Sequence, residues 1–247
     1  MTGGRGGPTR RWGTSVLKTR VPKIVDAAVR RLDIVDAVCR IIATDGLERA
    51  SLREVADEAG LAVGSVRHYF ATSEELLAFT FSAVVDRILA RLAAALAGVS
   101  GASGPEEQHE AVLTLLGEFL PLDEERAMDA CAWLAFKNAA RIRPFLAAEA
   151  DRSHRAVAAV VGQLITCLLA ADGPVEGDPL RDDPAGDARA ADGGGEQLVT
   201  EAERLLATLD GLTMHALLQP AWLTREMCRD VLESHLAGLR RTAGASH

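Results

Sequence analysis

Aromatic residues make up only 4% of this 247-residue sequence, and tyrosine occurs once, at Tyr69. Alanine, leucine, arginine and valine recur instead, a mix that favours packed helices and excludes an all-β sandwich or barrel. The four cysteines, Cys39, Cys131, Cys167 and Cys228, form no CxxC pair, and no secretory leader pattern precedes them, so reduced thiols in a cytoplasmic protein are expected. The longest nearly apolar run, Ala156 to Ala171, contains Gln163 and Thr166. It is short for a membrane span and reads as a buried helix, so no membrane partner is expected. There is no glycine-rich phosphate loop, no GxSxG and no HExxH. His109, His154 and His215 lack the spacing of metal ligands. The expectation is therefore no enzyme, no cofactor and no metal.

What is present is a hydrophobic content of 48%, enough to bury a sizeable core in one large or two small domains. The net charge of -8 conceals a sharp division. Residues 1 to 70 carry 12 Lys and Arg against 8 Asp and Glu, so the basic head is +4 and the remainder is -12. Residues 1 to 23 hold Arg5, Arg10, Arg11, Lys18, Arg20 and Lys23 without an acid, among glycines and Trp12. Two readings stand open for this stretch: a solvated flexible tail, or an arm that seeks phosphate.

From about Asp26 the pattern turns helical, with Val35, Val38, Ile41 and Ile42 at three- and four-residue spacing until Asp45-Gly46 stops it. Ser51 and Glu54 have capping-box spacing and open a short helix whose Leu52, Val55, Ala56 and Ala59 face inward, and Gly60 permits the turn that ends it. A second short helix is predicted over Val63 to Tyr69, with Val66 and Phe70 inward. Thr72 and Glu75 repeat the cap and open a long helix to about Leu96. After a loop around Gly98 to Gly104, helices are predicted near 105 to 119, 123 to 141 and 144 to 171. Residues 172 to 195, rich in Gly, Asp and Pro, read as a flexible acidic insertion. Helices from Glu196 to Gln219 and from Thr224 to about Arg240 complete an all-α chain of nine helices.

Two short helices joined by a tight glycine turn, behind a first helix that packs on both, form a helix-turn-helix, whose second helix can enter the major groove. Over residues 24 to 72 the spacing places Ser65 and His68 opposite the inward pair, with Arg67 and Tyr69 flanking and the small Ala62 and Gly64 leaving the backbone open. Double-stranded DNA is the expected partner, and a helical small-molecule binder without DNA activity is the alternative. Across residues 33 to 77 the sequence resembles the TetR family of one-component transcriptional regulators. The resemblance rests on Asp45-Gly46, Ser51 to Gly60, Gly64 to Phe70 and Thr72 to Leu77. Three positions depart from the family pattern: Ala62 replaces the usual hydroxyl residue, Arg67 the common tyrosine, and Ser73 the common lysine. DNA contacts are expected from Ser51, Arg53, Ala62, Val63, Gly64, Ser65, Arg67, His68, Tyr69, Thr72 and Ser73. Ser51 and Thr72 either cap helices or receive phosphate at the amide-rich helix ends.

Residues 73 to 247 are similar to the ligand-domain subgroup typified by the choline-responsive BetI repressors, through Trp133 to Phe136, Asp210-Gly211-Leu212 and His235-Leu236. The resemblance implies a small-molecule effector cavity and a homodimer through the last two helices. Those helices carry Leu198, Leu205, Leu206, Leu209, Leu212 and Leu217, then Val231, Leu232, Leu236 and Leu239, more apolar surface than outer helices of a monomer need. For the cavity the clearest candidate is Asn138, which continues the stripe Cys131, Leu134, Ala135 and Ile142. A buried amide there needs partners from the protein or from a ligand. Met128, Trp133, Phe136, Gln163 and Cys167 join it and Cys131 as a group, each also readable as plain core. The implied function is a ligand-released repressor of a palindromic operator.

Overall fold

A computed structural model describes residues 27–171 and 184–244. The basic arm, residues 1 to 23, and residues 172 to 183 of the acidic insertion lie outside them. Nine α-helices and no strand occur among the described residues: α1 Ala27–Asp45, α2 Leu52–Glu58, α3 Val63–Tyr69, α4 Ser73–Gly101, α5 Pro105–Gly117, α6 Glu124–Ala140, α7 Pro144–Ala171, α8 Pro184–Leu218 and α9 Arg225–Gly244. A single 3-10 turn, Leu47–Arg49, links the first two.

The caps lie where the spacing puts them. Ser51 Oγ accepts from the Glu54 amide at 3.2 Å, and Thr72 Oγ1 from the Glu75 amide at 3.1 Å. The reciprocal bonds depart from the simple box. Glu75 reaches one residue further back, to the Ala71 amide at 2.7 Å, and Glu54 turns to Arg49 at 3.5 Å. Between α2 and α3 the Leu61 amide donates to Ala56 O at 2.8 Å and the Gly60 amide to Asp57 O at 3.2 Å. This is the double bond pattern of a Schellman turn. It holds Gly60 at φ 65°, in the left-handed region.

Two helix bounds differ from expectation. Helix α4 continues through Gly98 to Gly101, because Val99 is buried on the second half of the molecule. Burial of a valine outweighs the roughly 1 kcal/mol that a helical glycine costs. Helix α8 begins at Pro184 rather than Glu196, so residues 184 to 195 are helical and not part of a loop. Proline at a first helical position and four alanines before Gly193 favour that early start.

Packing divides within α4 rather than at residue 73. One core joins α1, α2, α3 and the first half of α4 to Ala132, Phe136 and Ala139 of α6 and Leu146 of α7. The second joins Leu92 and Val99 of α4 to α5, the later part of α7, α8 and α9. Ile88 and Leu89 pack against both. The leucines of the last two helices are used mostly inside this chain: Leu205, Leu206, Leu209, Leu212, Leu232, Leu236 and Leu239 are buried in the second core. The apolar groups left on the outside are Val231 from the expected interface set and others, Val199, Met214, Leu218, Trp222 and Met227, with Trp222 72% exposed.

The glycine of the turn before the recognition helix and the glycine inside its first turn should respond oppositely to alanine. Gly60→Ala places a Cβ in left-handed backbone and should lower unfolding free energy by about 1–2 kcal/mol. Gly64 has nothing within 4 Å of an added Cβ and no positive φ, so Gly64→Ala should raise it by about 0.5–1 kcal/mol through helix propensity. Denaturant midpoints at constant slope read both.

Candidate nucleic-acid interface and ligand cleft

Val66 and Phe70 anchor α3 in the first core, both essentially fully buried. The anchoring turns Gly64, Ser65, Arg67 and His68 outward, all exposed, with Val63 and Tyr69 partly covered. Ser51, Arg53, Ala62 and Thr72 are also exposed and Ser73 is partly covered, so the predicted contact residues sit around one helix pair. Among the described residues, the side chains of Arg53, Ser65 and Arg67 make no hydrogen bond or ion pair, and His68 has only an edge-on ring contact with Tyr69, at 5.1 Å. Their donors are free for another molecule. Ala62 caps α3 without a side-chain bond.

The far end of α3 is held by a residue that periodicity did not single out. Arg31 of α1 donates to Tyr69 O at 3.1 Å, and its guanidinium lies 5.3 Å from the centre of the Phe70 ring and 5.2 Å from that of Phe79. A cation at a helix C-terminus and over two aromatic faces is favourable on both counts. It fixes α3 against α1 and α4.

A narrow cleft with room for about 40 Å³ lies at the meeting of α4, α6, α7 and α8. Its apolar wall comes from Ile88, Phe119, Ala130, Trp133, Val157 and Leu209, and its polar groups are Arg91, Glu118, Arg126, Asp210 and Thr213. Trp133 donates through Nε1 to the buried Ser153 hydroxyl at 3.0 Å, and Lys137 stands 4.7 Å over its ring. Thr213 donates to Phe119 O at 2.9 Å. Burial pushes the Asp210 carboxyl pKa up, with Lys137 and His154 opposing.

Of the seven residues predicted for a cavity, Trp133 alone lines this cleft. Phe136 is buried in the first core, stacked on Phe81 with ring centres 5.0 Å apart. Met128 packs partly buried on the same core, Cys131 is half-buried, and Cys167 borders a separate open hollow beside the α4–α5 turn. Asn138 and Gln163 are exposed, which overturns the expectation of a buried amide. The period of the α6 stripe is right and its phase is wrong. The buried face runs through Asp129, Ala132, Phe136 and Ala139, so Asn138 points away and Ile142 is 72% exposed.

The phase is set by a charge. Asp129, 2% exposed, accepts from Arg91 at 2.8 Å and pairs with Arg87 at 3.2 Å. Arg87 also reaches Asp36 of α1 at 2.7 Å, and Arg91 approaches Glu118 at 3.6 Å. Glu118 in turn pairs with Arg126 at 2.8 Å, and Arg126 with Asp123 at 2.9 Å. The chain of ion pairs thus runs from α1 to the cleft. Burial alone would lower the Arg87 pKa, and Asp129 and Asp36 outweigh it to hold the guanidinium above its ordinary value. Beside it, burial pushes the Cys39 thiol up to about 11 despite Arg87. The usable signal in the sequence is the placing of Arg87 and Arg91 at i, i+4 in an otherwise mostly apolar stretch of α4.

Residues 34–79 match the profile described as "Bacterial regulatory proteins, tetR family", and residues 185–241 that described as "BetI-type transcriptional repressor, C-terminal". The HTH-type transcriptional regulator PksA of Bacillus subtilis is 32% identical over 89% of this chain and 94% of its own length. The chain belongs to the TetR family. It is a helix-turn-helix transcriptional regulator, of a family that binds DNA and dimerises. A transcriptional regulator of Rhodococcus sp. Rha1 shares the fold with a TM-score of 0.66 and 27% identity, covering 86% of this chain and 96% of that one. The multidrug binding protein EbrR, solved with imidazole, aligns at a TM-score of 0.51 and 26% identity over 83% of this chain and 94% of its own. No helix among the described residues is long and apolar enough to cross a membrane.

Removing the central carboxylate should leave two guanidiniums facing each other. Asp129→Ala is expected to lower unfolding free energy by about 2–4 kcal/mol, somewhat under the value for a fully buried pair because both arginines retain some solvent contact. Asp36→Ala at the outer end should cost under about 1 kcal/mol. Urea unfolding followed by far-UV circular dichroism compares the two.

Proposed function

We propose that this TetR-family regulator is a repressor whose homodimer leaves a palindromic operator when a small molecule occupies the cleft around Trp133. One observation carries the reading: Arg91, which lines the cleft, shares Asp129 with Arg87, and Arg87 holds Asp36 on α1. A ligand that draws on Arg91 or Glu118 changes the partners of Asp129 and so the seat of α1 under the recognition helix. For release, the ligand must bind better to the DNA-incompetent arrangement, since equal affinity for both shifts nothing. The imidazole bound by EbrR supports a small-molecule role for this fold.

On DNA, Ser65 and His68 face base edges while Arg67 and Arg53 meet phosphate, and Gly64 and Ala62 let the backbone approach. Arg67 compensates for Ser73, which cannot supply a charged phosphate contact. Thr72 and Ser51 cap helices whose free amides suit phosphate. The dimer forms through the outer faces of α8 and α9 and the turn between them, where Met214, Leu218, Trp222, Met227 and Val231 stand exposed. Two-fold symmetry then sets half-sites about one helical turn apart or a small multiple of it.

An operator selected from random duplexes tests the DNA reading. Arg67→Ala should weaken binding to all duplexes and reduce the salt slope by about 1, whereas His68→Ala should relax preference at one position by about 1–3 kcal/mol. Wild-type behaviour of both variants would refute it. Sedimentation tests the dimer: Met214→Ser with Trp222→Ser should shift micromolar protein towards monomer and weaken full-operator binding more than half-site binding.

A further inference from the structure

A second, more open groove lies between α5, the start of α6 and α9, with room for about 330 Å³. Glu118 and Arg126 line this groove and also the narrow cleft. Their 2.8 Å ion pair therefore stands as a partition between an inner aromatic space of about 40 Å³ and an outer space that reaches solvent. Small-molecule sites usually occupy about 300–1,000 Å³. The cleft alone is too small for an organic ligand, and the groove alone offers little aromatic wall.

We infer that the two are halves of one composite ligand site, and that the Glu118–Arg126 pair is the movable wall through which the ligand passes from the groove to Trp133. The inference rests on the reading of the cleft as the effector site. Both partners of the pair can part without becoming lone charges: Arg126 keeps Asp123 at 2.9 Å, and Glu118 keeps Arg91 at 3.6 Å. Parting is thus cheaper than breaking an isolated buried pair. The ligand class follows from the two linings. It is an elongated molecule with an apolar ring system that reaches Trp133 and Phe119, and a hydrogen-bonding group that takes over the exchanged side of Glu118 or Arg126. Its arrival at Glu118 acts on Arg91, the cleft end of the ion-pair chain to α1. Admission and signalling therefore share one carboxylate.

Acrylamide quenching of Trp133 tests the partition with no effector and no DNA. The full chain carries three tryptophans, Trp12, Trp133 and Trp222, so Trp12→Phe with Trp222→Phe leaves Trp133 as the sole emitter. In that parent, Glu118→Gln and Arg126→Gln are each expected to raise the bimolecular quenching constant at least twofold. Adding Thr114→Phe, at an exposed position lining the groove, should return it to near the parent value. Arg229→Gln, which removes the Glu110 pair at the rim but leaves the partition intact, should quench like the parent. Two openers are used so that misfolding of one, judged by near-UV circular dichroism, leaves the other to decide. No rise in either folded opener, a rise that Thr114→Phe does not lower, or an equal rise in Arg229→Gln would overturn the inference. Each of those results leaves the cleft's role as effector site to be judged separately by operator release.

Discussion

A carboxylate buried between two arginines holds the helices of this protein in relation to one another. Asp129 sits on the core face of α6, where a lone charge would cost several kcal/mol. It is tolerated because α4 presents Arg87 and Arg91 one helical turn apart, so that each can reach one of its oxygens. The same requirement fixes the rotation of α6, which puts Phe136 onto Phe81 and Trp133 into the cleft. It also ties α1 to α4 through Asp36. Neutral replacements of similar size could pack as firmly, yet they would not join three helices through exchangeable partners.

The helix-turn-helix was legible in the sequence because its determinants are local. Ser51, Thr72 and Gly60 act within a few residues of themselves, and the inward residues Val55, Ala56, Val66 and Phe70 follow from period alone. Long-range partners were not legible. Reading α6 as an amphipathic helix places every charge outside, which rotates Asp129 to solvent and brings Asn138 in. The structure has the opposite phase, since the neutralising arginines lie about 40 residues earlier. Arg31 was missed for the same reason: its partners, Tyr69 O, Phe70 and Phe79, belong to other helices. The start of α8 is hidden in the sequence because its alanines are interspersed with Gly and Asp, residues typical of loops.

The last two helices show how an apolar count can mislead about location. Their leucines suggested an external face, and most of them serve the chain's own second core. The external apolar groups are Val199, Leu218 and Val231 together with the longer or aromatic Met214, Met227 and Trp222. Methionine's flexible thioether and tryptophan's large amphipathic surface suit a contact that forms between separately folded chains.

Helix α4 runs unbroken for 29 residues, which at 1.5 Å per residue makes a rod about 43 Å long. It contributes to both cores and carries Arg87 and Arg91 near its middle. Were such a rod to pivot about the ion pairs at Asp129, it would act as a lever. A tilt of a few degrees would move an end by about 2 Å, and in a two-fold pair the opposed displacements add to roughly the 3.4 Å rise of one base pair. A regulator of this geometry therefore needs no large rearrangement to lose its register on DNA. The mechanical advantage comes from the length of one continuous helix, whose residues between Leu76 and Leu92 also supply Leu77, Phe81, Val84 and Val85 to the first core.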